Sequence, residues 1–236
     1  MTYFSQFRKS EYSLSQNLQK KVTELSQYTD IVSRAADDAS FYTFYNARPD
    51  ERFDTISNQL YNTPDFYWTI PILNDRITNT WNDSTKSVPA LRSYLERKYP
   101  DSALIFSSNE EITGRFSVGG YIESTSGSVY RISSIYPSLG YVRGIDVTGS
   151  NEITNPTVVN IAEVIPAYKA PSFFTDPDGN RVPSYVENAT PTTIEEIETD
   201  INDENSRLKV IRPEFIRRFA DQFELEMREA AERNNE

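Results

Sequence analysis

Between Gly114 and Ile165 the chain runs in short stretches of β-branched and aromatic residues, broken at Ser126-Gly127, Pro137-Ser138-Leu139-Gly140 and Gly149-Ser150-Asn151. This spacing predicts roughly four or five short strands. So many strands in about fifty residues are best closed into a small barrel, because closure hides the unpaired edges of the sheet. Apolar residues at helical spacing lie on both sides of this region, so the expected fold class is α+β.

Residues 1–38 carry the scattered aromatics Tyr3, Phe4, Phe7 and Tyr12, then Leu14, Leu18, Val22 and Leu25 at helix-compatible spacing in a polar stretch. The pattern predicts an amphipathic helix that buries too little to fold alone and must lie against the rest of the chain or another subunit. Phe41-Tyr42-Thr43-Phe44-Tyr45 reads as a strand ending at Asn46-Ala47-Arg48-Pro49. A helix is expected next, with Pro49 at its first position, Asp50 and Glu51 at the positive end of its dipole, and Phe53, Ile56 and Leu60 on one face. It should stop near Asn62. Thr63-Pro64-Asp65 signals a second start, and the apolar run from Phe66 to Leu73 ends at Asn74-Asp75. A further helix, capped by Ser87 with Pro89 just inside, carries Leu91, Tyr94 and Leu95 and ends before Pro100.

Residues 169–192, rich in Pro, Ser, Thr and Asn, read as an irregular connector. Thr193-Ile-Glu-Glu196 matches a capping box, with Ile194, Ile197, Ile201 and Leu208 on one helical side. Pro213 opens a last helix whose apolar stripe is Phe215, Ile216, Phe219, Phe223 and Met227.

The formal net charge of -11 opposes binding to nucleic acid or anionic membrane, which needs clustered Lys and Arg. No Cys is present, so disulfides, zinc-thiolate sites and thiol nucleophiles are excluded. No His is present either, which removes the commonest general base and metal ligand. The N-terminal residues lack the apolar run of a signal peptide, and no stretch approaches the roughly 20 apolar residues of a membrane span, so a soluble chain is expected. The acidic pairs Asp37-Asp38, Glu110-Glu111 and Glu195-Glu196 could in principle supply acid–base chemistry, but adjacent residues point apart and suit a solvated surface. Asp176-Pro-Asp178-Gly-Asn180 with Glu187 has the spacing of a calcium loop, yet Arg181 stands where that loop needs Gly. As turn chemistry it is first a tight turn. No metal and no cofactor is expected.

The 15 Tyr and 13 Phe exceed what a small core needs and suggest contact surfaces. Phe66, Tyr67 and Trp68 could stack on sugar rings or join a core, since three consecutive aromatics on a helix face different ways. The order strand, helix, Asn break, helix, Asn-Asp resembles the LysM β-α-α-β module, a glycan-binding fold of cell-wall proteins. More specifically, Arg48-Pro49-Asp50, then Ile56-Ser-Asn-Gln-Leu60-Tyr61-Asn62-Thr-Pro64-Asp-Phe-Tyr67-Trp68, then Asn74-Asp75 resemble the baseplate wedge subunit of contractile-tailed bacteriophages, whose core is LysM-like. Tyr3-Phe4-Ser5 and Thr29-Asp30-Ile31-Val32-Ser33-Arg34 resemble that family's start. Asn205-Ser-Arg207-Leu-Lys209-Val210-Ile211-Arg212-Pro213-Glu214 resembles its close, and the 114–165 region matches its longer members.

The resemblance implies a virion protein of the tail baseplate, assembled in the host cytoplasm, with no catalysis and no cofactor. It joins wedge subunits to each other and around the hub, its partners being other wedge subunits, neighbouring copies in the six-fold baseplate, and hub or sheath-initiator proteins. The expected organisation is an N-terminal docking segment (1–38), a LysM-like domain (39–110), a small β-barrel insertion (111–168), and a connector with C-terminal helices (169–236). The flanking arms are expected to be helical. Partner contacts are expected at Tyr3, Phe4, Phe7, Tyr67, Trp68, Phe215, Phe219, Phe223 and Met227, with the C-terminal stripe docking on a neighbour. The alternative is a peptidoglycan-binding LysM module holding a tail component on the host wall. Against it, Pro49-Asp50-Glu51 replaces the Gly-Asp-Thr usual before the first helix of glycan-binding modules.

Overall fold

The structure is a computed structural model. It describes residues 9–15, 18–23, 35, 37–79, 83–150 and 153–233, with 9–15, 18–23 and 230–233 described by backbone alone. In chain order the strands are β1 (Lys9–Ser15), β2 (Leu18–Thr23), β3 (Tyr42–Asn46), β4 (Ser102–Ile105), β5 (Tyr121–Ser124), β6 (Val129–Tyr136), β7 (Tyr141–Asp146), β8 (Thr157–Val159), β9 (Glu163–Pro166), β10 (Pro171–Thr175), β11 (Arg181–Val182), β12 (Thr190–Thr193) and β13 (Arg207–Ile211). The helices discussed below are α1 (Phe53–Tyr61), α2 (Thr69–Leu73), α3 (Val88–Lys98), α4 (Ile194–Ser206) and α5 (Ile216–Arg233). The fold is mixed α+β. The chain forms two compact units, Met1–Ser87 with Asn202–Glu236, and Val88–Ile201.

In the first unit β3 and β13 pair antiparallel, from Tyr42 opposite Ile211 to Asn46 opposite Arg207. The unit therefore runs strand, helix, helix, then a second strand reached only after the whole second unit has intervened. Phe53 and Ile56 of α1, Ile70 of α2, Ile77, and Leu208 and Val210 of β13 form one buried cluster. Trp68 and Leu73 join a second cluster with Ile211 and the α5 residues Ile216, Phe219, Phe223 and Met227. Trp68, at the N-cap of α2, and Ile70 thus enter different clusters, since residues two apart along a helical turn do not share a face.

Several local readings need correction. The helix expected at Pro49 begins at Phe53, because Asp50 takes a left-handed backbone (φ 62) that no right-handed helix admits. Leu208, expected on a helical face, lies on β13. The helix expected through Leu14, Leu18 and Val22 is instead the hairpin β1–β2, paired from Lys9 opposite Thr23 to Ser15 opposite Leu18. Spacings of four suit a helical face but are also multiples of the strand period of two, so the pattern did not discriminate. Leu25 lies outside the described residues.

The second unit holds a six-stranded sheet in the order β8-β5-β6-β7-β4-β9. Its two edge strands follow each other in sequence, with only residues 160–162 between them. Laid flat, six strands would hold their edges about 24 Å apart, farther than so short a connection reaches. The sheet therefore curls. Leu104, Phe106, Ile122, Tyr130, Ile132 and Val142 fill the curl. Bending is helped by an irregularity in β6 between Ile132 and Ser134 and by Gly144, where a Cβ would stand 3.0 Å from that of Tyr130. No ladder joins β8 to β9, so the expected closed barrel is an open half-barrel. β4, expected within the 39–110 segment, belongs to this sheet.

The expected connector at 169–192 is also ordered structure, a three-stranded sheet in the order β11-β10-β12. Composition misled here because Pro171 sits at the first position of β10, where a missing N–H costs little, and the Asp-Pro-Asp-Gly turn joins β10 to β11.

Candidate interaction surface

The side chains expected to meet partners divide into three sets. Tyr3, Phe4 and Phe7 lie outside the described residues. Trp68, Phe219, Phe223 and Met227 are buried inside the first unit, Trp68 being 2% and Phe219 1% exposed. Trp68 packs against Phe223 with centroids 4.8 Å apart and against Phe219 at 6.1 Å, both rings tilted to its own. Tyr67 and Phe215 are half-buried, and Phe215 lies 5.0 Å from the Phe41 ring. The expectation that the α5 stripe waits for a neighbouring subunit is thereby corrected: β13 leads directly into α5, which places the stripe on α2 of the same chain. Trp68, enclosed among these rings, has no face to offer a sugar.

Among the described aromatic residues Tyr185 of the second unit, 74% exposed, and Phe44 of the first reach solvent, and the sequence marks Phe44 only as part of a strand. Phe44, at the centre of β3, is 47% exposed. Its ring meets Tyr42 edge-on at 5.6 Å, and the Arg207 guanidinium lies 4.1 Å from its centroid. Lys209 stands 4.8 Å from the Tyr42 ring. Alternation along the paired strands puts Tyr42, Phe44, Arg207 and Lys209 on one face. A cation beside an aromatic on a neighbouring strand was visible only once the β3–β13 register was known.

The two edges of this small sheet differ. On the β13 side, the Asn74 side chain accepts from Lys209 N–H at 2.9 Å and donates to its carbonyl at 2.9 Å, and Arg76 donates to the Arg207 carbonyl. Since Lys209 turns its backbone groups away from β3, Lys209 and Phe44 are a non-hydrogen-bonded pair, and Phe44 turns its own groups away from β13. The flanking bonds agree with this phase: Ala47 N–H donates to Ser206 and Arg212 N–H to Phe41. The outer edge of β3 thus presents the backbone groups of Tyr42, Phe44 and Asn46. Of these the Tyr42 carbonyl is occupied, accepting from Arg212 Nε at 3.1 Å.

On the opposite face, the Glu51 carboxylate accepts from Tyr45 Oη, Gln59 Nε2 and the Arg48 N–H. Burial, together with this carboxylate, raises the Tyr45 pKa.

In the second unit, an open groove of about 720 Å³ is lined by Phe106, Leu139, Phe174 and Tyr185 among others, and Asn109 donates to Ser184 Oγ at 3.0 Å on its wall. Glu110 is the one carboxylate among the described lining residues, so the groove lacks the pair that glycoside hydrolysis uses. A second polar group is internal. Glu198 accepts from Lys98 Nζ at 2.8 Å and Tyr99 Oη at 2.7 Å, while Asp101 pairs with Arg143 at 3.4 Å and accepts from Ser133 Oγ at 2.6 Å. Burial disfavours the Lys98 charge, but its bonds to Glu198 and Tyr94 outweigh that and raise its pKa. The arrangement ties α3 to α4 and to the sheet, and its charges neutralise one another.

Three of the acidic residues singled out by sequence, Asp38, Glu196 and Asp176, serve local structure. Asp38 accepts from Ser40 N–H, and Glu196 accepts from Thr193 N–H at 2.7 Å, completing the expected capping box. Asp176 accepts from the N–H groups of Asp178 and Asn180 and from Asn180 Nδ2, and the bonds from Asn180 hold its pKa below the ordinary value. Among the described residues no three acidic groups stand where they could hold a metal ion. No described helix is long and apolar enough to cross a membrane.

A scan of protein-family models finds no match to this chain, and a search of curated proteins finds none either.

Proposed function

We propose that this chain is a structural subunit of the baseplate wedge of a contractile phage tail, built on a LysM-like core interrupted by a second folding unit. The observation that carries the reading is the order of the first unit: a strand, two helices and a strand antiparallel to the first. Those elements fall on the segments that carry the family resemblance, and the resembling residues do structural work there. Ile56, Trp68, Leu208, Val210 and Ile211 are buried, and Asn74 binds β13. Leading into α1, the Pro49-Asp50-Glu51 turn directs the Glu51 carboxylate onto Tyr45 Oη and Gln59.

On this reading the subunit acts by contact and has no substrate. Its exposed Phe44 face and curled sheet are surfaces for neighbours, and wedges join around the hub through them.

The test is genetic and biochemical. Disrupting the gene in the phage that encodes it should leave incomplete wedges that do not join, and the purified chain should co-sediment with the wedge intermediate. Infectious particles with intact contractile tails made without this chain would overturn the proposal. So would a saturable complex with peptidoglycan fragments, which belongs to the wall-binding alternative.

A further inference from the structure

We infer that the outer edge of β3 receives an extended, acidic segment of another protein as a third strand of the first unit's sheet. The inference goes beyond the baseplate reading and does not depend on it.

The geometry is that of strand addition, in which backbone hydrogen bonds give affinity and alternate side chains give specificity. Phe44 directs both its N–H and its carbonyl outward, and Asn46 continues the same row. β3 is about 17 Å long, and its outward row is open from Phe44 to Asn46, Arg212 holding the Tyr42 carbonyl. The other edge is largely taken: Asn74 bonds both outward groups of Lys209, and Arg76 and Tyr61 donate to the carbonyls of Arg207 and Ile211. No described side chain does the same for Phe44, whose ring is also half exposed.

Charge identifies the occupant. In a chain of net charge -11, the face around Phe44 carries Arg207 and Lys209. Among the described residues Arg207 has no carboxylate partner, and its guanidinium lies on the Phe44 ring. An added strand puts every second side chain on this face beside Tyr42 and Phe44 of β3, and the Arg207 guanidinium, which crosses from β13 to the Phe44 ring, is the cation nearest its carboxylates. On the other face Glu51 disfavours acidic groups, and the incoming strand needs neutral residues there. The favoured segment therefore alternates acidic and apolar or hydroxyl residues. A second copy of this chain is the poorer fit, since β3 itself, Tyr42-Thr43-Phe44-Tyr45-Asn46, carries no carboxylate to meet Arg207.

The probes are two synthetic peptides, acetyl-Thr-Glu-Val-Glu-Val-Glu-Thr-amide and its counterpart with Lys for each Glu. Added to the 15N-labelled full chain, the Glu peptide is expected to slow hydrogen exchange at the Phe44 and Asn46 amides. It should bind about ten-fold more tightly than the Lys peptide, the size of one favourable charge contact. Arg207→Glu should invert that preference without changing the circular dichroism spectrum. Phe44→Pro should abolish binding, since it removes an outward N–H that the β3–β13 ladder does not use. If Phe44→Pro does not fold, the Arg207→Glu inversion reads the same edge with the backbone intact. Failure of both peptides to protect Phe44 would leave the cations as guards against edge pairing and overturn the inference. Equal binding of the two peptides, or protection that rises with protein concentration alone, would overturn it as well.

Discussion

The side-chain amide of Asn74 engages Lys209 as a neighbouring strand would, taking its N–H and giving to its carbonyl, each at 2.9 Å. The same amide donates to the Ile70 carbonyl at 2.7 Å, so one buried residue ties the end of α2 to β13. Asn74→Ala leaves these groups unpaired beneath the surface and should cost about 2–4 kcal/mol in urea unfolding. Faster exchange of the Lys209 amide in the folded state would locate the loss at this edge, and an unchanged midpoint would show that water replaces the amide at no cost.

Phe219 packs against Trp68 inside the first unit. Phe219→Asp places a carboxylate among aromatic rings and should destabilise the free chain by about 3 kcal/mol or more, read as a melting temperature many degrees lower. A variant that melts like the parent would mean α5 leaves this site in solution.

Burial pushes the Tyr141 phenol up to about 12, and burial likewise raises Tyr61, whose hydroxyl donates to the Ile211 carbonyl. A folded pKa above the unfolded value of 10.0 means stability is complete below pH 10 and falls as pH rises through the folded value. Each such tyrosine should contribute a slope of about 1.4 kcal/mol per pH unit in that window. Absorbance at 295 nm should show these phenols ionising late, and early ionisation of all tyrosines would contradict the burial.

The Asp176 carboxylate stays ionised through bonds from its own turn, first those from Asn180. With its folded pKa lowered, the turn's contribution is present above the ordinary 3.8 and is lost as pH falls through the folded value. A carboxyl carbon NMR titration should give a midpoint below 3.8, and millimolar calcium should leave it unmoved. A calcium-dependent shift would restore the loop as a cation site.

Gly144, opposite Ile132, lies diagonally across from Tyr130 of the adjacent strand, with room for a hydrogen and little more. Gly144→Val should cost about 1–3 kcal/mol by forcing β6 and β7 apart. The loss should appear as a lower melting temperature, and an unchanged one would mean that the sheet opens freely.

Much of the order of elements was legible because local chemistry fixes it. Asn62 ends α1 in the left-handed conformation, Thr63 Oγ1 accepts from Asp65 N–H, and Thr193 with Glu196 starts α4. What could not be read was pairing across long sequence distances. Nothing local says that Phe44 lies opposite Lys209, or that Asn74 and Asn202 use their amides as strand mimics on Lys209 and Lys86. The candidate edge depends on that pairing, whereas the period of the α5 stripe is plain in the sequence and its cover is not. The 169–192 strands were hidden for another reason: turn residues dominate their composition, and β10 declares itself only by pairing on both sides.

The interruption of the first unit bears on how the chain is made. The second unit is continuous in sequence and has every strand of its curled sheet once Pro166 has left the ribosome. β3, synthesised far earlier, has no partner until Ile211 emerges, and α5 comes later still. Closing so long a loop costs only about 0.6 kcal/mol more for each doubling of length, so the penalty falls on timing more than on final stability. For most of translation, Trp68, Ile70 and the bare β3 strand await their cover. A ribosome that stalls between β12 and β13 therefore releases a chain with one finished unit and one adhesive one, the form most prone to aggregate.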